Sequence, residues 1–374
     1  MPKTTLPFFA RVTITLLGLI LLTVILWYSR EILVPLAFAA LLATLLNPVL
    51  NALERMKIPR LLAISLTVLL AILIVFGLAY FIAVQFSQFS EALPQFKAKL
   101  LSLVADFQAW LESRFRISTA KQVAYLRQGT SNLLQNSGAL LSTTFGLVTG
   151  LVVLITLIPV YVFLLLLYRN LLVYFILQVF SNYNTHKVST ILDEIKKVIQ
   201  SYIFGLLIEA AIVAALNSIA LLLLGIDYAI LLGVLGAVLN MIPYLGGLVA
   251  IALPVLIAMA TKESLFYPLA VIGAYMFIQF IDNNILVPKV VASKVRINAL
   301  ISILAVLVGG ALWGIAGMFL SIPLVAILKI IFDRIAPLKP WGMLLGDDIP
   351  DAALLHASSQ TDSGIIILDK APEE

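Results

Sequence analysis

The sequence predicts an all-α polytopic membrane protein with about six full spans and two broken or re-entrant helical hairpins. Three observations carry that expectation. The 374 residues are 62% hydrophobic and only 11% charged, with a mean hydropathy of +1.10, whereas soluble domains are about 25% charged. The apolar residues fall in runs long enough to cross the hydrocarbon core, about 20 residues each. Two of the longest runs are interrupted near their middle by Gly, Pro and Asn. The apolar–polar alternation of a membrane β-barrel is absent.

The same composition excludes several function classes. There is no cysteine, which removes disulfides and thiolate metal sites. His186 and His356 are the only histidines, far apart and outside the apolar runs, so no metal site and no Ser-His-Asp constellation is expected. No phosphate-binding G-x-x-x-x-G-K-[ST] loop occurs. The expectation is therefore a non-enzyme without cofactors. The net charge of +5 sits largely in short loops between apolar runs, where it sets topology and does not point to nucleic acid.

The elements follow in order. Lys3 and Arg11 precede a first span at 12–28, read as uncleaved because no small-x-small site follows it. A second span, 32–50, leads to the loop Asn51–Arg60, where Arg55, Lys57 and Arg60 face Glu54 alone. That loop reads as cytoplasmic, which places the N-terminus inside. The third span, 61–84, completes a scaffold of residues 1–84. Residues 85–146 form an extracytoplasmic amphipathic helical region. Phe89, Leu93, Phe96, Leu100, Leu103, Phe107 and Trp110 recur in steps of four and three, a stripe on one helix face. That stripe fits either a helical hairpin on the outer membrane face or a helix that meets copies of itself. A fourth span at 147–168 and a cytoplasmic segment make up residues 147–202.

Residues 203–335 read as a transport unit. A fifth span, 203–224, is followed by a broken segment, 228–262, with its interruption at Asn240–Gly247. A sixth span, 265–284, is followed by a second broken segment, 299–335, interrupted at Gly309–Gly317. The loop Pro288–Arg296 is basic without acids and reads as cytoplasmic. The first hairpin is then entered from outside and the second from inside, the inverted-repeat logic of many transporters. Freed backbone groups at such breaks survive at membrane depth only in protein or beside a wet cavity. Residues 336–374, with seven acids and only Lys339 and Lys370 as bases, read as a flexible acidic cytoplasmic tail. Both termini are thus cytoplasmic.

Intramembrane acids are the leading site candidates, because their burial is costly. Glu209 lies inside the fifth span, where desolvation suits reversible proton binding, and Asn217 shares its face. The alternative is interhelical glue. Asp282, with Gln279, Asn283 and Asn284, ends the sixth span as a cation or substrate contact, or as an interfacial cap. Asn240, Pro243, Gly246 and Gly247 sit at the first break, and Gly314 and Gly317 at the second. Half-helix ends and freed carbonyls there can bind an ion, while the alternative is close packing.

These marks also carry a resemblance. Ile242-Pro243-Tyr244-Leu245-Gly246 with Pro254, Asp282 with Pro288-Lys289, and Gly309-Gly310 through Trp313-Gly314-Ile315-Ala316-Gly317 to Ile322-Pro323 resemble the autoinducer-2 exporter family over about residues 10–335. The resemblance implies a multi-pass transporter of the bacterial inner membrane. It implies a cargo that is either a small polar signal molecule or a sodium or lithium ion exchanged for protons. It also implies homo-oligomers, pentamers among them. The chain departs from the family pattern at Asn298-Ala299, where many relatives carry His-Pro. The partners expected are the lipid bilayer and a small polar solute, monovalent cation or proton. Rival classes are a passive channel and a non-transporting scaffold.

Overall fold

The computed structural model describes residues 7–115, 156–180, 185–242, 246–291 and 297–347. Every regular element among them is helical. Helices α1 (Phe8–Tyr28), α2 (Arg30–Arg55) and α3 (Arg60–Phe115) come first. Then follow α4 (Thr156–Leu167) and α5 (Arg169–Val179). The rest are α6 (Thr185–Leu223), α7 (Ala229–Asn240), α8 (Gly246–Thr261), α9 (Phe266–Ile281) with a π-helical extension Asp282–Val291, α10 (Ala299–Arg334) and α11 (Lys339–Leu345). Among the described residues six helical stretches are long and apolar enough to cross a membrane, and the bent pair α4–α5 makes a seventh if counted as one span. The expected spans at 12–28, 32–50, 203–224 and 265–284 fall on α1, α2, α6 and α9.

The expected third span, 61–84, falls on the apolar stretch Arg60–Gln85, and α3 continues beyond it as a single helix of 56 residues reaching Phe115, about 84 Å long at 1.5 Å per residue. Residues 116–155 lie outside the described residues, and with them the rest of the amphipathic region and the start of the fourth span. The expected end of that span, residue 168, is where α4 gives way to α5 at a bend of 66°. The Arg60 guanidinium donates to the carbonyls of Leu166 (3.3 Å) and Leu167 (3.0 Å), terminating α4. Arg169 donates to Asn47 and Asn51, fastening α5 to α2. The tail, finally, is ordered at its start. Pro337 and Pro340 occupy first-turn positions that lose no hydrogen bond. A Cβ on Gly342 would lie 2.9 Å from the Asp333 backbone nitrogen, so α11 rests directly on α10. Residues 348–374 lie outside the described residues.

The buried apolar residues form separate clusters. Ala39 and Leu50 of α2 pack with Ile64 of α3 and Leu166 of α4. Leu41 of α2, Tyr202 and Leu206 of α6 and Leu320 of α10 form another. Leu221, Leu232, Ile257 and Val271 join α6 to α9. A proline strengthens the α2–α6 junction. Pro48 lies inside α2 and has no N–H to offer the Thr44 carbonyl, and Gln200 of α6 donates to that carbonyl at 2.7 Å. Helix α1 has no buried residue, as suits a lipid-facing span, where apolar surface has no water to avoid.

Both interrupted segments fold back on themselves. Gly225, before α7, lies beside Lys262, after α8: a Cβ on Gly225 would stand 3.9 Å from the Lys262 Nζ. The first hairpin therefore opens at the C-terminal end of α6. In α10 the turn falls at Gly314, whose φ of +63° and ψ of −144° belong to a region essentially reserved for glycine. Beyond it the arms close: a Cβ on Gly309 would lie 2.4 Å from the Gly317 carbonyl oxygen. In an unbroken helix these residues would stand about 12 Å apart. Both ends of this hairpin meet near the N-terminal part of α6. Asn298, at its start, donates to Leu344 O (2.7 Å) and Gly346 O (3.0 Å) past its end, and Arg334 pairs with Glu194 at 2.8 Å. Glu194 and Leu223 are about 43 Å apart along α6, so the two hairpins are entered from opposite ends of that helix.

Candidate functional site

Tyr202, Leu206, Glu209, Val213 and Asn217 follow one another along α6 in steps of four and three, and so occupy one face of the helix. That face forms a wall of a cavity of about 750 Å³. Gly236, Asn240 and Gly247 of the first hairpin form a second wall, and Tyr275, Gln279, Asp282 and Asn283 a third. The second hairpin reaches the cavity only through Ser302 and Ile322. Among the described residues no Lys, Arg or His lines it.

At its centre, Asp282 is only 2% exposed. Its Oδ2 accepts from Asn240 Nδ2 at 2.8 Å and from Gln279 Nε2 at 3.4 Å. The Glu209 carboxyl, 6% exposed, lines the same cavity. Gln279 also donates to Asn283 Oδ1 at 3.2 Å. Asp282 stands where α9 widens into its π-helical extension, which contains Pro288. A proline there can neither donate to the preceding turn nor tolerate its carbonyl closely, and a wider turn relieves both problems.

Glycines bring the walls together. A Cβ on Gly236 would lie 3.3 Å from Asn217 Nδ2 and 3.7 Å from Tyr275 Oη, and one on Gly247 would lie 2.8 Å from Gln279 Oε1. Three buried polar atoms on this cavity have no hydrogen-bond partner: Asn217 Oδ1, Tyr275 Oη and Asp282 Oδ1. Buried polar groups are normally satisfied, so this lining is built to meet something polar. Among the described residues no group of three or more His, Cys, Asp or Glu side chains converges as a metal site would require.

The cavity thus gathers Glu209, Asn217, Asn240, Gly247, Gln279, Asp282 and Asn283 of the residues singled out in the sequence. The others stand apart. Asn284 is exposed and donates back to Phe280 O at 2.8 Å, within its own helix. Gly314 has nothing within 4 Å of its would-be Cβ, Gly317 meets Gly309 and Trp313, and neither lines the cavity. Gly246 opens α8. Pro243 lies outside the described residues. Asp282 is deeply buried, where an interfacial cap, the alternative reading, would be exposed. Sequence reasoning missed Tyr202, Gly236, Tyr275 and Ser302. The helical period held a signal for two of them, since Tyr202 is in step with Glu209 and Tyr275 with Gln279.

The family described as AI-2E family transporter matches residues 16–336 of the chain. Among individual proteins, the chain is similar to the putative transport protein YueF of Bacillus subtilis (strain 168), with 28% identity over 320 residues, 81% of this chain and 84% of that one. A putative transport protein of Haemophilus influenzae is 27% identical over 348 residues, 89% and 96% of the two chains. The AI-2 transport protein TqsA of Escherichia coli (strain K12) is 24% identical over 327 residues, 86% and 91% of the two chains.

Proposed function

The chain belongs to the AI-2E transporter family and is a multi-pass membrane transporter, and from that premise we propose that it is a secondary active transporter of the bacterial inner membrane. Its cargo is a small polar solute or a monovalent cation, coupled to protons at the Glu209–Asp282 pair, and both its termini are cytoplasmic. The observation that carries this reading is the buried carboxyl pair on a wet-lined cavity within membrane-spanning helices. Two buried carboxyls on one cavity hold an exchangeable proton or a cation there, and Asn240 and Gln279 orient the Asp282 acceptor.

The fold supports alternating access. The cavity is sealed toward the C-terminal end of α6 by Leu221, Ile226, Leu232 and Ile257, all at most 3% exposed. Residues 203–335 act as two span-plus-hairpin repeats of opposite orientation, and rocking of one against the other would exchange the sealed end. Residues 1–84 serve as the scaffold. The stripe from Phe89 to Trp110 supports assembly as a homo-oligomer.

A second reading, sodium or lithium exchanged for protons, is favoured by one feature: the polar lining offers carboxylate and amide oxygen ligands. Proteoliposomes separate the two. A pH-sensitive dye responding to an imposed sodium or lithium gradient, without counterflow of labelled autoinducer-2, supports antiport. Saturable counterflow of the labelled molecule supports solute transport. Flux that neither saturates nor responds to a proton gradient would mark a passive pore and overturn the proposal.

A further inference from the structure

The polar atoms of the cavity fall into two groups. The first surrounds Asp282. The second is Asn217 and Tyr275, which are 3% and 6% exposed and carry the unpartnered atoms Asn217 Oδ1 and Tyr275 Oη. Both flank Gly236, the residue whose missing side chain leaves the space between them. Asn217 lies about 12 Å further along α6 than Glu209, at the end sealed by Leu221. Val213 separates the two groups on that face, and Ala250 closes the far group from α8.

The geometry points to a second, uncharged subsite, in which Asn217 and Tyr275 grip a hydroxyl or amide group of a neutral solute while the acid pair holds the proton or ion. This rests on the proposed transport function and adds where the cargo sits. The chemistry follows from the atoms. Asn217 Oδ1 only accepts, so the ligand must bring a donor, and a phenol both donates and accepts. A hydroxyl satisfies both at once. A charged group would find no counter-charge among the described residues at this end, and burying it unpaired is far costlier than burying a neutral one. Gly236 and Ala250 leave width for a thin group only. The subsite therefore favours an unbranched polar end over a bulky one, and it can be filled while the acid pair is also occupied.

Because the chain has no cysteine, a single Ala250→Cys substitution gives a reporter beside Gly236 without background. In proteoliposomes, its rate of modification by the small neutral reagent methyl methanethiosulfonate is measured with autoinducer-2 or, separately, the tetrol erythritol as the protecting solute. At least one solute is expected to protect. Adding Tyr275→Phe or Asn217→Ala should raise the half-protecting concentration about five- to tenfold, the loss of one hydrogen bond. Adding Asp282→Asn should leave protection within about twofold, while abolishing the dye response that reports proton coupling. Protection lost equally in Asp282→Asn would mean one undivided site and overturn the inference. So would protection indifferent to Tyr275→Phe and Asn217→Ala, or no protection by either solute. In those cases a dye response that still depends on Asp282 leaves the transport reading standing. A dye response indifferent to Asp282 sinks that reading whatever the reporter shows.

Discussion

In the first hairpin the interruption lies between Asn240 and Gly246, and residues on both sides of it, Asn240 and Gly247, line the cavity. In the second, the turn at Gly314 stands clear of the cavity, and Gly309 and Gly317 press the two arms together. The indole of Trp313, next to the turn, donates to Leu26 O of α1 at 3.0 Å, tying that tip to the N-terminal helices. Both segments began as apolar runs punctuated by glycine. What separates them is the side chain beside the break: an amide facing a carboxylate in one, an indole anchored to a neighbouring helix in the other. Glycine marks that the backbone turns, and the neighbouring polar groups decide whether the turn faces cargo.

That difference can be tested with the same small change on each side. Gly317→Ala places a methyl group 2.0 Å from the Gly309 carbonyl oxygen, backbone against backbone, and the arms must separate. The expected loss is more than about 3 kcal/mol, read as lost folded yield or a lower Tm in detergent. A wild-type Tm would mean that the arms are not apposed. Gly314→Ala meets no atom within 4 Å, so its cost is backbone strain alone, about 1–3 kcal/mol. A Gly314→Ala protein with unchanged thermal stability would rule out the left-handed turn.

Asn298→Ala removes the cap that accepts from Ile301 N, together with the side-chain bonds to Leu344 O and Gly346 O. About 1–2 kcal/mol is expected, with faster hydrogen exchange in α11, where exchange at the wild-type rate would argue against the docked α11. The mildest effect on folding belongs to the first hairpin. Gly247→Ala puts its methyl 2.8 Å from Gln279 Oε1, the end of a flexible side chain that can swing away. Stability should change by less than about 1 kcal/mol, while the proton-coupled dye response weakens several-fold as Gln279 leaves Asp282. Equal destabilisation by Gly247→Ala and Gly317→Ala would erase the distinction between the hairpins.

Much of this was legible before any coordinates. Apolar run length placed α1, α2, α6 and α9, because crossing a bilayer imposes a minimum length. The cost of burying a carboxyl singled out Glu209 and Asp282, and the helical period put Asn217 on the face of Glu209. Other features depend on partners distant in sequence. The pairing of Asn240 with Asp282 needs α7 to meet the end of α9. The bend at Leu167 follows from Arg60, on another helix. The burial of Asp282, the retreat of Asn284 to Phe280 O and the exclusion of Gly314 from the cavity are all matters of azimuth. A π-helical stretch resets azimuth without any signal in apolar periodicity beyond the proline itself. Tyr202 and Tyr275 escaped notice because an aromatic residue within an apolar run resembles ordinary core.

The most direct test of the acid pair as the coupling site is flux in proteoliposomes carrying Glu209→Gln or Asp282→Asn at wild-type folded content. Either neutral isostere keeps the shape of the cavity and should cut the proton-coupled signal by at least about tenfold, the scale set by one charge-assisted contact. Coupled flux at the wild-type rate in both variants would contradict it.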